Sequence, residues 1–196
     1  ASGQSLRDFQ KQYLSKSQQG QASIEYPYLL QFPSNTGLPT PHDYNADGKI
    51  SPPNDAFGYG KYPGQYAFAL LSKFPMDTKK IRSYQNFLWQ QMPEARQPRK
   101  TDGSPYYASE AWEQFRLSSK NHVAVPIQLP GGKTVHTLIA HPTPPVFDGP
   151  EDRNGQRNYD EIKLIIDIIE CADYLVDDLG KKGGLRISDA FVVMGD

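Results

Sequence analysis

A chain of 196 residues with 37% hydrophobic side chains is long enough for one domain with a real core, and its formal charge of -1 excludes a broad basic surface for tracking a nucleic-acid duplex. A single cysteine, Cys171, excludes an internal disulfide framework, and no apolar run approaches the roughly 20 residues that span a bilayer. The 17 prolines and 16 glycines, with a mean hydropathy of -0.65, put much of the length into loops.

Leu6 to Leu14 can form a short helix, after which the polar, proline-rich stretch to residue 60 reads as loop. Within it, Asp43-Tyr44-Asn45-Ala46-Asp47-Gly48-Lys49-Ile50-Ser51-Pro52-Pro53-Asn54 matches the first half of a calcium loop. Asp43, Asn45 and Asp47 would supply side-chain oxygens, Lys49 its carbonyl, and Ser51 a water-mediated contact. Asn54 stands where a bidentate Glu is usual, with Asp55 one step later. The flanking prolines exclude an EF-hand, leaving an isolated Ca²⁺ loop that pins the segment at about 33–60, or an ordinary turn rich in Asp and Asn.

Gln65 to Ser72 is the first strand, introduced by the turn Tyr62-Pro63-Gly64, and loop resumes around Phe87-Leu88-Trp89 as far as Tyr107. Arg116-Leu117-Ser118-Ser119-Lys120-Asn121-His122 reads either as a phosphate- or carboxylate-binding cluster, led by Arg116 and Lys120, or as an exposed loop before a strand. Val123, Val125, Ile127 and Leu129 alternate as in a half-buried strand. Pro130-Gly131-Gly132-Lys133 turns the chain into a second strand, Thr134 to His141, so the two form a hairpin.

His141 ends its strand against Pro142, Pro144 and Pro145, stiffly placed for acid–base or transition-state work, though a lone histidine is often structural. The polar stretch 147–158 contributes little core. Its Arg153, Asn154, Arg157 and Asn158 read as site-building residues, or as a solvated loop locked by its own ion pairs. A long helix begins near Asn158, with Glu161 completing a capping box, and buries the stripe Ile162, Ile165, Ile166, Ile169, Ala172, Val176 and Leu179 before stopping at Gly180. Cys171 falls in that pattern as a buried structural thiol. The last strand, from Ala190, is apolar and ends at Gly195-Asp196. Ionisable groups at the tips of neighbouring buried strands are held where α/β proteins place their chemistry.

Four segments carry a resemblance: DAFGYGKYPGQYAFALLSKFP (55–75), RLSSKNH (116–122), HPTPPVFDGPEDRNGQRNYDEI (141–162) and FVVMGD (191–196). In order and spacing the chain resembles a bacterial branch of the endonuclease/exonuclease/phosphatase superfamily, the deoxyribonuclease I-like enzymes, over most of residues 25–196. The resemblance implies an α/β (α+β) fold, a four-layer sandwich of two mixed sheets with outer helices. It implies a metal-dependent phosphoesterase using Mg²⁺ or Mn²⁺. By motif, His141 corresponds to the histidine that contacts the scissile phosphate, and Asp196 to the aspartate of a G-D-x-N motif near the catalytic metal. Arg116 is a looser match to a phosphate-contacting basic residue.

The family's Asn- and Glu-bearing first strands, the Asn after G-D and the closing Asp-His pair have no counterpart here, and Glu25 lacks the strand context to replace that Glu. The sequence is therefore expected to be a central part of one domain, incomplete at both ends and weakly active or inactive alone. The reading from another class is a calcium-stabilised module that binds a ligand or partner without catalysis. The expected partner is a phosphoester, with nucleic acid disfavoured by charge, and bare sheet edges would invite oligomers. A calcium loop suits an extracellular or periplasmic setting.

Overall fold

A computed structural model describes residues 3–196. Loops dominate, as the composition requires, and six strands in two sheets organise them into an α/β sandwich. Strands β1 (Tyr28–Gln31) and β2 (Ala69–Ser72) pair antiparallel in a small sheet. The second sheet has the order β3 (Arg82–Ser83), β4 (His122–Gln128), β5 (Thr134–Ala140), β6 (Ala190–Gly195). Its first three strands are antiparallel and β6 lies parallel to β5. The hairpin read from period-two alternation is the β4–β5 pair, closed by the short turn Pro130–Gly132.

Alternation on β4 and β5 builds two cores. Val123, Val125 and Ile139 face the small sheet and meet Phe32 and Leu70. Ala124 and Leu138 face the other way, where helix α3 (Arg153–Ile169) brings Leu164 and Ile168. That second core is enlarged by rings from the loops: Tyr44, Tyr84, Phe87, Trp89, Tyr107 and Phe115. Trp89 and Phe115 lie 5.6 Å apart, and Tyr107 and Phe115 4.8 Å, within the range of favourable ring pairing. Two short helices, α1 (Gln4–Phe9) and α2 (Ser109–Gln114), complete the regular elements. A π-helical turn, Gln10–Leu14, extends α1 over the helix expected there.

Several expectations change. A short strand, β1, lies inside the stretch read as loop, and the strand expected from Gln65 is β2, which begins only at Ala69 because Tyr66 sits at φ 64° and breaks the extended run. Helix α3 starts at Arg153 and ends at Ile169, so Arg153, Asn154, Arg157 and Asn158 belong to its first turns, and Asn158 does not cap it. Its buried face is Arg157, Asp160, Glu161, Leu164, Asp167 and Ile168, while Ile162 and Ile166 face outward. Cys171 lies past the helix end and is exposed. Strand β6, read as buried, is exposed along its whole length because only β5 pairs with it among the described residues. No helix of the described residues is long and apolar enough to cross a membrane.

Gly58 shows how tightly the loops are drawn in. Its amide donates to the Asn35 carbonyl at 3.0 Å, and a Cβ there would stand 1.8 Å from the Ser119 carbonyl oxygen. Since the contact is backbone against backbone, Gly58→Ala should cost about 1–3 kcal/mol in urea-induced unfolding. An unchanged unfolding midpoint would mean the two segments are not held together.

Candidate functional site

Strands β5 and β6 run parallel with Ala140 opposite Gly195, so the residues that follow, His141 and Asp196, emerge side by side. Glycine is needed at 195, because a Cβ would meet the Ala140 carbonyl oxygen at 2.0 Å. His141 Nδ1 lies 3.6 Å from Asp196 Oδ1, with the aspartate side chain 85% exposed and the imidazole more enclosed. Burial, then the nearby Lys120 ammonium, push the His141 imidazole below its ordinary range, with Asp196 and Glu161 pulling it back. At neutral pH the ring is therefore neutral, able to donate one hydrogen bond and accept another.

His141 opens onto a cavity of about 560 Å³. Lys120, Arg153 and Arg157 contribute to its wall, and so do Ser119, Thr143 and the amides Asn45, Asn54 and Asn154. The remainder is largely aromatic: Tyr44, Tyr59, Tyr66, Tyr107, Phe115 and Phe147. No Asp or Glu is among the described residues that line it. Burial pushes the Tyr44 phenol up to about 12, so that ring stays neutral. Burial also lowers Lys120, with Glu161 pulling it back up.

Segment 116–122 is neither an exposed loop nor a free phosphate clamp. Ser118, Ser119, Lys120, Asn121 and His122 are all buried. Its amides and carbonyls are claimed by α3: Ser119 N–H donates to Glu161 Oε1 at 2.6 Å, and Arg157 donates to the Leu117 and Arg116 carbonyls at 2.9 Å each. The other Glu161 oxygen accepts the Thr143 N–H at 2.6 Å. Arg157 reaches the Phe57 carbonyl as well, at 2.6 Å. Arg116 does not line the cavity; it donates to Asn35 Oδ1 at 2.7 Å and stacks on Phe57. Asn158 donates to the Thr143 carbonyl at 2.8 Å, a scaffold role. Lys120 donates to the Pro142 carbonyl at 3.2 Å while lining the cavity.

The Asp43–Asp55 loop borders the cavity through Asn45 and Asn54, and Gly48 turns at φ 80° as a calcium loop would. Its oxygens are turned onto its own amides. Asp43 accepts from Asp47 and Gly48, Asp47 from Lys49, and Asp55 from Tyr44 and Ser51. No three His, Cys, Asp or Glu among the described residues are grouped to hold a metal ion. Asp43, Asn45, Asp47, Lys49, Ser51, Asn54 and Asp55 thus sit on a turn rich in Asp and Asn that its own amides hold in shape. Of the two carboxylates acting on His141, Glu161 is committed to Ser119 and Thr143, and Asp196 stands exposed between a histidine and the field of Lys120. Asp196 is the exposed carboxylate that could hold Mg²⁺ or Mn²⁺ there, since such an ion takes one or two carboxylates and completes its shell with water and substrate phosphate oxygens.

Glu161 and His122 carried no functional signal in the sequence beyond a capping pattern and a polar run. The rings were visible only as a surplus of tyrosine. His122 is fully enclosed, its Nε2–H directed at the Glu161 carbonyl at 2.9 Å, which leaves Nδ1 to accept from the Ser118 hydroxyl at 2.7 Å.

Removing the Glu161 carboxylate orphans two buried amides, so Glu161→Ala should lose about 2 kcal/mol or more in chemical denaturation. Burial holds the His122 imidazole below its ordinary 6.5, so the unfolded chain binds this proton more readily. Stability from this source is full above pH 6.5 and drains away as pH falls through it. Denaturation curves across that range should show a shallower slope in His122→Asn, and an unchanged slope would remove His122 as its source.

The model of the Endonuclease/Exonuclease/phosphatase family matches residues 16–196 of this chain. No curated protein and no solved structure matches it.

Proposed function

Because the chain belongs to the endonuclease/exonuclease/phosphatase family, whose members are phosphoesterase- and nuclease-type hydrolases, we propose that a phosphoester binds in the cavity beside His141 and is cleaved there by water. One observation carries this reading. The cavity is lined by Lys120, Arg153 and Arg157 together with His141, and by no carboxylate among the described residues, so it favours an anion. Its cations are immobile: Lys120 is tied to Pro142 and Arg157 to three carbonyls. Charge developing on the phosphoryl oxygens would meet donors that need not reorganise.

His141, neutral at neutral pH, is placed to hydrogen-bond a phosphoryl oxygen, and Asp196 beside it to orient the attacking water. Water oxygen bonds to phosphorus, the ester P–O bond breaks, and the alcohol leaves with the electron pair and a proton. Members of the family commonly use divalent ions, and assistance by Mg²⁺ or Mn²⁺ is part of the proposal at that level. A cavity of about 560 Å³ suits a small phosphoester rather than a duplex, in agreement with the near-neutral charge.

The test is hydrolysis of bis-p-nitrophenyl phosphate with Mg²⁺ or Mn²⁺ supplied. His141→Ala should lower kcat by about a hundredfold or more, the usual worth of a positioned acid–base group. Asp196→Asn, at an exposed position, should lower kcat with little change in stability. A wild-type chain that hydrolyses nothing, or a His141→Ala variant as fast as wild type, refutes the assignment.

A further inference from the structure

The cavity wall also carries aromatic rings that the phosphoryl chemistry leaves unused. We infer that they form a subsite for a flat ring, so that the substrate is a small phosphoester bearing an aryl-type group. This rests on the phosphoester reading of the cavity and adds the class of the alcohol or second ester arm.

The floor is formed by Tyr44, Tyr107 and Phe115, packed on one another with centroids 4.4 to 5.9 Å apart. The rim is different. Tyr59, Tyr66 and Phe147 line the same cavity yet are 56%, 52% and 85% exposed. None of the three pairs with another ring among the described residues, unlike the rings of the floor. They are the apolar faces a bound ring could cover.

The backbone marks two of these rim residues. Tyr66 has φ 64° and Phe147 φ 67°, the left-handed region that bulky side chains seldom enter. Such conformations persist where surrounding structure enforces them, and they gather at ligand clamps. Tyr66 precedes β2 and Phe147 precedes α3, so the two reach one cavity from segments far apart in sequence. Tyr66 lines the same cavity as His141, which sets this rim next to the reacting end. A volume of about 560 Å³ holds a phosphoryl group with a ring attached. A ring stacks through its face whatever its substituents, so this subsite selects flatness and leaves charge recognition to Lys120 and the arginines.

Non-hydrolysable phosphonates separate the two readings, because binding is measured without turnover. Titration calorimetry with methyl-, cyclohexyl- and phenylphosphonate should show phenylphosphonate bound about tenfold more tightly than methylphosphonate, the worth of one good stack. Cyclohexylphosphonate should lie clearly below phenylphosphonate. Phe147→Ala, whose side chain is mostly in solvent, should bring the phenyl and methyl affinities closer together. Equal affinities for phenyl- and methylphosphonate in the wild type overturn the subsite while the phosphoryl site stands. Equal affinities for the phenyl and cyclohexyl compounds overturn its preference for a flat ring. Binding of none of the three removes the subsite and the phosphoester reading together.

Discussion

The site depends on one buried carboxylate. Glu161 is fully enclosed, and its two oxygens accept the backbone N–H groups of Ser119 and Thr143, each at 2.6 Å. Those residues stand just before β4 and just after β5, at the end of the hairpin where His141 emerges. A charge taken out of water is costly unless hydrogen-bonded and balanced. Glu161 meets both conditions through its two charge-assisted bonds and the fields of Lys120 and Arg157. Lys120 and Arg157 balance Glu161 and the exposed Asp196, and it is the cations, not the carboxylates, that line the adjoining cavity, which is the electrostatic reason it suits a phosphate.

The same device recurs along the molecule. A chain this poor in apolar residues holds its loops with buried polar side chains. Asp160 of α3 accepts the Trp89 indole N–H at 2.6 Å and the Arg96 amide at 2.7 Å. Asp178 gathers Ser83, Gln85 and Asn86, and Asp177 takes the Arg82 guanidinium. Asn35 spans Gln85, Ser118 and Arg116. Charge-assisted bonds of this kind are shorter and stronger than neutral ones, and they fix loop geometry where apolar packing alone would leave it loose. The cavity inherits that rigidity, since its cations are themselves the tethers.

The fold and the family were legible because each rests on local pattern. Alternation at Val123, Val125 and Ile127 defined the hairpin, and the Gly195-Asp196 ending placed a carboxylate beside His141 through a glycine that permits close approach. Helix α3 was legible as a helix, but its orientation was not. Ile162 and Ile166 have the period of any helix face yet turn outward, and the face that turned inward carries Arg157, Asp160 and Glu161 beside Leu164 and Ile168. Hydrophobic periodicity assumes that apolar residues define the buried side; here the loops offered carbonyls and amides, and charged residues answered them.

Sequence alone determined the β4–β5 hairpin and the strands at β2 and β6, that a histidine and an aspartate share a sheet end, and which family the motifs resemble, because these follow from residue spacing along single elements; the short β1 and β3 left no such pattern. Tertiary structure decided the rest. It committed Arg116 to Asn35, closed the Asp43–Asp55 turn on its own amides, made Glu161 the anchor of the site, and brought Tyr66 and Phe147 to one cavity. All but the turn join segments tens of residues apart, and no local pattern records which distant group a polar side chain will meet.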